Sequence, residues 1–422
     1  MKRIANVLYK RNRDLLTVFL VFVASAAAQT SPWTLTTLYS FTGYPGTGTP
    51  SSGVAIGPGT VLYGTTLSGG ASTACGRSGC GTVFSLTPPA APGGAWTETI
   101  FSFPGGRGGF HPVGGVAIGS RGVLYGTTDY GGASDYGTVF SLSPPASPGG
   151  SATERVLHEF SGSPSDGANP VAGVVIGSGG VIYGTTEFGG PSGTGMVFSL
   201  TPPAAPGGGW TETVLFSGNR PVGVAIGSGG VLYGATQFGG TSGNGTVFSL
   251  TPPASPGGTW TETVLYNFSG GSDGGTPFAG VVVGAGGVLY GTTGYGGTED
   301  NYGTVFSLTP PASPGGTWTE TVLHTFAGGS DGSNPPAGVA IGDGGVLYGV
   351  TSGTHFFPNN VFSLTPPAAP GGAWIETVLY SFTSYNDDIS PSGVAIGAGG
   401  VLYDTTEQGG TSNQGTVFSL TP

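Results

Sequence analysis

Residues 287–311 read GVLYGTTGYGGTEDNYGTVFSLTPP, and close variants of this phrase occur six more times along the chain. Tyr63, Tyr125, Tyr183, Tyr233, Tyr290, Tyr348 and Tyr403 mark one shared position, at spacings of 50 to 62 residues. Around each tyrosine lie four short segments rich in β-branched and aromatic residues, separated by clusters of Gly, Pro, Ser and Asn, the pattern of strands and turns. In the fifth unit they are GVVVG, VLYGTT, GTVFSLTPP and WTETVLYNF. No stretch beyond the first 28 residues carries a 3.6-residue apolar period, so helices should be nearly absent. Four strands in a unit of this length predict a β-propeller blade, and seven units predict seven blades.

Side-chain size along each unit agrees. The GVAIG type of segment is built from small residues and suits an innermost strand, where blades converge. The VFSLTP and WTETVLY segments carry Phe, Leu, Trp and Tyr, which fill the wider outer space. The chain stops at GTVFSLTP (residues 415–422), after three strands of the last unit, and the missing Trp-led strand appears at the other end as WTLTTLYSF (residues 33–41). The expected fold is an all-β, seven-bladed propeller of four-stranded blades. Its N-terminal strand, 33–41, completes the C-terminal blade, 393–422, and leaves no open edge. The blades are expected at about 53–103, 115–160, 173–217, 223–268, 280–326, 338–382 and 393–422 plus 33–41.

Residues 1–28 differ in kind. Lys2, Arg3, Lys10, Arg11 and Arg13 form a basic head, Leu15 to Ala24 is almost wholly apolar, and Ala26 and Ala28 fit an A-x-A cleavage site. This is the layout of a secretory signal peptide cleaved near Ala28, so a secreted, extracellular or cell-surface protein is expected. Cleavage would remove five of the ten basic residues and one of the 21 acids, taking the formal charge from −11 to −15. A lysine-free acidic chain repels phosphate backbones, which argues against nucleic acid as a partner. No later segment resembles a membrane span, and a monomer is expected. Only 7% of residues are charged, but 37% are hydrophobic and the 87 glycines recur with the repeat, which argues against disorder. Cys75 and Cys80, in TACGRSGC, are read as a loop-closing disulfide because no second Cys or His pair exists to complete a metal site.

The phrases GTVFSLTP, TVLYSF, GGSDGSNPPAGV and LYGTT closely resemble the GloVer tandem repeat, over essentially all of residues 33–422. The resemblance implies a secreted bacterial protein of unestablished activity, in a family often described with a C-terminal sorting anchor. The order LYGTT-x-x-GG followed by an outer Trp strand is also similar, in architecture alone, to a Kelch blade.

With strands named A to D from the axis outward, the D–A and B–C connections share one face of the disc. The opposite face is monotonous, built from GSGG-like and PPASPGG-like turns. Acids and aromatics gather in the D–A and B–C loops, and loops on a rigid scaffold commonly carry binding. The candidate ligand-binding residues are Asp129, Tyr130, Glu187, Phe188, Tyr295, Glu299, Asp300, Tyr302, Asp387 and Asp388. Asp166, Asp273 and Asp331 recur at one position and read as turn residues. Glu98, Glu154, Glu212, Glu262, Glu320 and Glu376, on the outermost strand, read as edge protection.

Catalytic patterns are weak. His158 and His324 stand where other units place Tyr39, Tyr266 and Tyr380, so they read as packing residues. GGSDG at 270–274 and 328–332 fits G-x-S-x-G, but a nucleophile elbow needs a strand before it and a helix after it, and here a turn leads into GGTPFAGVVVG or SNPPAGVAIG instead. The residues therefore favour a non-catalytic binding module for extracellular polysaccharide or another cell-surface polymer, needing no cofactor, with Ca²⁺ as a candidate aid to sugar binding. The rivals are a scaffold that engages an envelope or matrix protein and, ranked third, a polysaccharide hydrolase or lyase.

Overall fold

The computed structural model describes residues 33–422 apart from 146, 148–149, 206, 256, 314, 354–357, 370 and 383–391. The leader reading, and Asp387 and Asp388, lie outside the described residues. Trp33–Pro422 forms one compact unit. It holds seven four-stranded antiparallel sheets in which each strand pairs with its neighbour in sequence, the meander of a propeller blade. In the third blade strands A to D are Val175–Ile176, Ile182–Thr186, Met196–Thr201 and Thr211–Ser217. The only helical elements among the described residues are short 3₁₀ turns such as Ser178–Gly180, and none is long and apolar enough to cross a membrane.

The seventh sheet closes the ring as expected. Thr34–Ser40 pairs with Thr416–Thr421 as its fourth strand, from Thr34↔Thr421 to Ser40↔Thr416. Phe41 N–H then donates to the Gly415 carbonyl (3.0 Å), and the Phe41 ring lies edge-on to Phe84 of the first blade, centroids 5.1 Å apart. Nearer the axis, the Thr405 hydroxyl donates to the Ser52 carbonyl (2.8 Å), joining blade seven to blade one across almost the whole chain. The same threonine of LYGTT bridges other junctions, as in Thr127 to the Ala172 carbonyl (3.0 Å) and Thr292 to that of Ala337 (2.9 Å).

Blades are held together by the outer aromatics. At the end of strand D in five blades a phenylalanine meets the strand-C phenylalanine of the next blade edge-on: Phe103–Phe140, Phe160–Phe198, Phe268–Phe306, Phe326–Phe362 and Phe382–Phe418, at 5.1 to 5.5 Å. Edge-to-face pairs at this distance add roughly 0.5–1.5 kcal/mol each beyond their burial. The glycine of LYGTT makes this stacking possible, since a Cβ on Gly184 would stand 2.6 Å from Phe198 Cζ. The strand-D tryptophans pack on the previous blade's tyrosine, as Trp210 does on Tyr125 (6.3 Å). Blade two has Ala152 in place of that tryptophan, and a cavity of about 470 Å³ opens there beside Tyr63, Phe101 and Ile100.

A β-bulge in strand D decides which blade each outer residue faces. In blade three Val214 pairs with Phe198 while Phe216 pairs with Val197, so Leu215 is the extra residue. A one-residue slip reverses the side-chain alternation. Glu212, before the bulge, therefore faces blade two, and Phe216, after it, faces blade four. The same shift occurs in blades two, four, five, six and seven. The first blade lacks one residue here (TETIFSF), keeps an unbulged ladder, and reaches the same arrangement.

Candidate functional site

Two groups of polar and aromatic residues stand out, one on the D–A/B–C face and one between blades. On the face, the second residue of the B–C loop is aromatic in four consecutive blades: Tyr130, Phe188, Phe238 and Tyr295. These rings are 38%, 45%, 44% and 44% exposed, whereas the strand-C phenylalanines such as Phe140, Phe198, Phe248 and Phe306 are fully buried. Each is held from behind or beside. Tyr130 stacks on Phe110 (5.5 Å, 19° between planes) and meets His111 edge-on (5.9 Å), while Tyr295 meets Phe278 at 5.5 Å.

Phe188 and Phe238 share a cation. The connection from blade three to blade four is the short SGNRPVG, with three residues between Ser217 and Pro221. That brevity draws Arg220 in between the two rings, its guanidinium carbon 5.0 Å from the Phe188 centroid and 5.6 Å from that of Phe238. Glu187 forms an ion pair with Arg220 from the adjoining loop. Phe188, Phe238, Arg220, Asn219 and Thr194 together line a cleft of about 270 Å³.

The residue before the proline that leads towards strand A is left-handed in five consecutive connections, although none is glycine: His111 (φ 55°), Asn169 (55°), Arg220 (52°), Thr276 (51°) and Asn334 (44°). Asn tolerates this region, but a β-branched Thr there is a genuine outlier. Strain of this kind gathers at ligand-contacting positions. Asn169 and Asn334 use the conformation to donate to the carbonyls of Asp129 (3.1 Å) and Gly294 (2.7 Å) in the preceding blade. Burial pushes the Asp129 carboxyl up, with His111 and an Asn169 bond opposing, and burial pushes His111 down against the pull of Asp129.

Of the residues singled out from sequence, Tyr130, Phe188 and Tyr295 lie on this aromatic arc, and Asp129 and Glu187 stand beside it. Glu299 and Asp300 are exposed on the blade-five loop, and Tyr302 is half-buried against the core around Phe326 and Val339. Arg220, the one cation on the arc, was not among them; its signal was the shortened SGNRP connection.

The second group corrects the reading of the strand-D glutamates as edge protection. Glu98, Glu154, Glu212, Glu320 and Glu376 are partly buried, whereas Glu262 is exposed as expected. Glu154, Glu212, Glu320 and Glu376 are each pushed up to about 7, burial being the largest cause. Their Oε1 atoms are buried without hydrogen-bond partners. Glu98 instead accepts from Tyr39 OH (2.7 Å) and Thr47 (2.8 Å). The recurrent aspartates do cap turns, since Asp166, Asp273 and Asp331 accept from the backbone N–H of Ser161, Ser269 and Ala327 (2.8, 2.8 and 2.7 Å). They also bind the residue after the bulge: His158, Tyr266 and His324 respectively. Cys75 and Cys80 are disulfide-bonded. As for metal ligands, the acids of the loop face form no trio among the described residues; His158, Asp166 and Glu212, at the junction of blades two and three, do.

The fold resembles virginiamycin B lyase from Staphylococcus aureus, with a TM-score of 0.56 and 16% identity over 92% of this chain and 99% of that one. A putative 6-phosphogluconolactonase from Bacteroides uniformis follows at 0.48 and 15%, over 79% and 87%. A carbohydrate-active enzyme of family AA12 from Trichoderma reesei gives 0.46 and 14%, over 92% and 95%. Identities this low show shared architecture alone. None of the curated proteins matches the sequence. The model of the Gloeobacter/Verrucomicrobia repeat matches residues 72–300 and 146–362, more than half of the chain, and the protein belongs to that family.

Proposed function

We propose that the protein is a non-catalytic binding module whose D–A/B–C face engages an extracellular polysaccharide. The observation that carries this reading is the arc of four half-exposed rings, Tyr130, Phe188, Phe238 and Tyr295, on consecutive blades, with Arg220 between the middle pair. Flat apolar faces of sugar rings stack on aromatics, and hydroxyls bond to charged and amide groups at the rim. Arg220, Glu187, Asn219 and Asp129 supply such groups along the arc. A polymer lying across it would meet several rings at once, so modest single contacts would add through multivalency.

Purified protein applied to a polysaccharide array, with and without Ca²⁺, tests the reading. Specific binding is expected, and F188A/F238A should weaken it at least tenfold while leaving the melting temperature within about 2 °C, because both rings are exposed. Undiminished binding by the double variant would move the site off the arc. A blank array on folded protein would favour the envelope-scaffold reading, and release of reducing ends or unsaturated sugars would establish an enzyme.

A further inference from the structure

We infer that the junction between blades two and three holds a divalent cation of the zinc class. The site is built by the bulge. His158 follows it on strand D of blade two, Asp166 lies in the connection beyond, and Glu212 precedes it on strand D of blade three. Their donor atoms all lie within 4.8 Å of one another. His158 Nε2 stands 3.2 Å from Asp166 Oδ2 and 3.7 Å from Glu212 Oε1. Donors of a tetrahedral zinc ion at bonds of 2.0–2.2 Å stand about 3.3–3.6 Å apart, so the trio is already close to the edges of such a site. Glu212 Oε1 is buried with no hydrogen-bond partner, an acceptor aimed at the imidazole with nothing to accept from at bonding distance.

The junction of blades five and six carries the same residue types without closing the trio: His324 Nε2 lies 3.1 Å from Asp331 Oδ1, but among the described residues only His158, Asp166 and Glu212 bring three donor atoms within 4.8 Å of one another. One imidazole and two carboxylates suit zinc, whereas Ca²⁺ takes oxygen donors alone. Histidine at this position is not required by the fold. The equivalent residue is Tyr39, Tyr266 or Tyr380 at three junctions and Phe101 or Phe216 at two. Where it is Tyr266 the hydroxyl simply bonds Asp273 (3.0 Å). The ion would tie neighbouring blades at their outer edge, with its fourth position open to water.

The repeat supplies its own control, because His→Tyr installs a residue this position already accepts. Untagged protein is equilibrated with Zn²⁺, dialysed, and its metal measured by plasma mass spectrometry, with Co²⁺ absorption as a second readout. One zinc ion per chain is expected, none in H158Y and still one in H324Y. Zinc at a hundredfold excess over its Kd should raise the melting temperature by about 3 °C, and chelation should reverse it. Less than one zinc per chain in the unaltered protein, or equal stoichiometry in H158Y, overturns the inference.

Discussion

Replacing Glu154 by Leu tests the claim that the strand-D glutamates are buried between blades. Glu154 is the simplest of them, since burial alone raises its carboxyl from 4.5 to about 7, and its Oε1 has no partner. Leucine is a fair substitute because blade seven carries Leu35 at the same position. The rise corresponds to about 3 kcal/mol for a fully sequestered group, and the part of the carboxyl that still reaches water reduces this to about 1–2 kcal/mol. The sign follows from proton linkage. The folded state holds its proton to higher pH than the unfolded state does, so stability is greatest below about pH 4.5. It declines as pH rises towards about 7 and is level above that. The Leu variant lacks this decline. Urea unfolding of both proteins at about pH 4 and pH 8 should show the variant gaining about 1–2 kcal/mol relative to the parent between the two. A difference that stays constant with pH would refute the burial argument.

Two further substitutions address particular junctions. Ala152→Trp restores the residue that packs on the preceding tyrosine in other blades and should fill much of the 470 Å³ cavity beside Tyr63. It should stabilise by about 1–2 kcal/mol in thermal melts, with a blue-shifted fluorescence contribution, and a lowered melting temperature would show that the cavity walls have closed around alanine. Asp404→Gly restores the LYGTT pattern at a fully buried carboxyl that burial pushes far up and whose Oδ2 lacks a partner. Stabilisation of about 1–3 kcal/mol is expected, larger at pH 8 than at pH 5 because the raised group costs most where water would ionise it. Equal gains at both values would mean that Asp404 is not the titrating group.

The face proposed for binding stands out in the sequence because B–C and D–A loops are the variable part of an otherwise uniform repeat. Sequence placed Tyr130, Phe188 and Tyr295 there, yet could not tell them from Tyr302, which turns back against the core, because a loop aromatic looks the same in either direction. Arg220 carries no such signal in the sequence beyond its shortened connection, because its meaning depends on two rings from different blades. The glutamates were misassigned for a related reason. Alternation along an outermost strand says which residues share a face, but not that the next blade covers that face.

What the sequence determined by itself is the blade, its number of copies and the closure by residues 33–41, because each is written in local pattern and repeated. What only the tertiary structure decided is which residues meet across junctions. His158, Asp166 and Glu212 come together because a bulge reverses the side-chain alternation midway along strand D, aiming the residues before it at one neighbour and those after it at the other. Pairing between blades depends on that reversal and on the spacing of sheets around the axis, neither of which a single repeat can express.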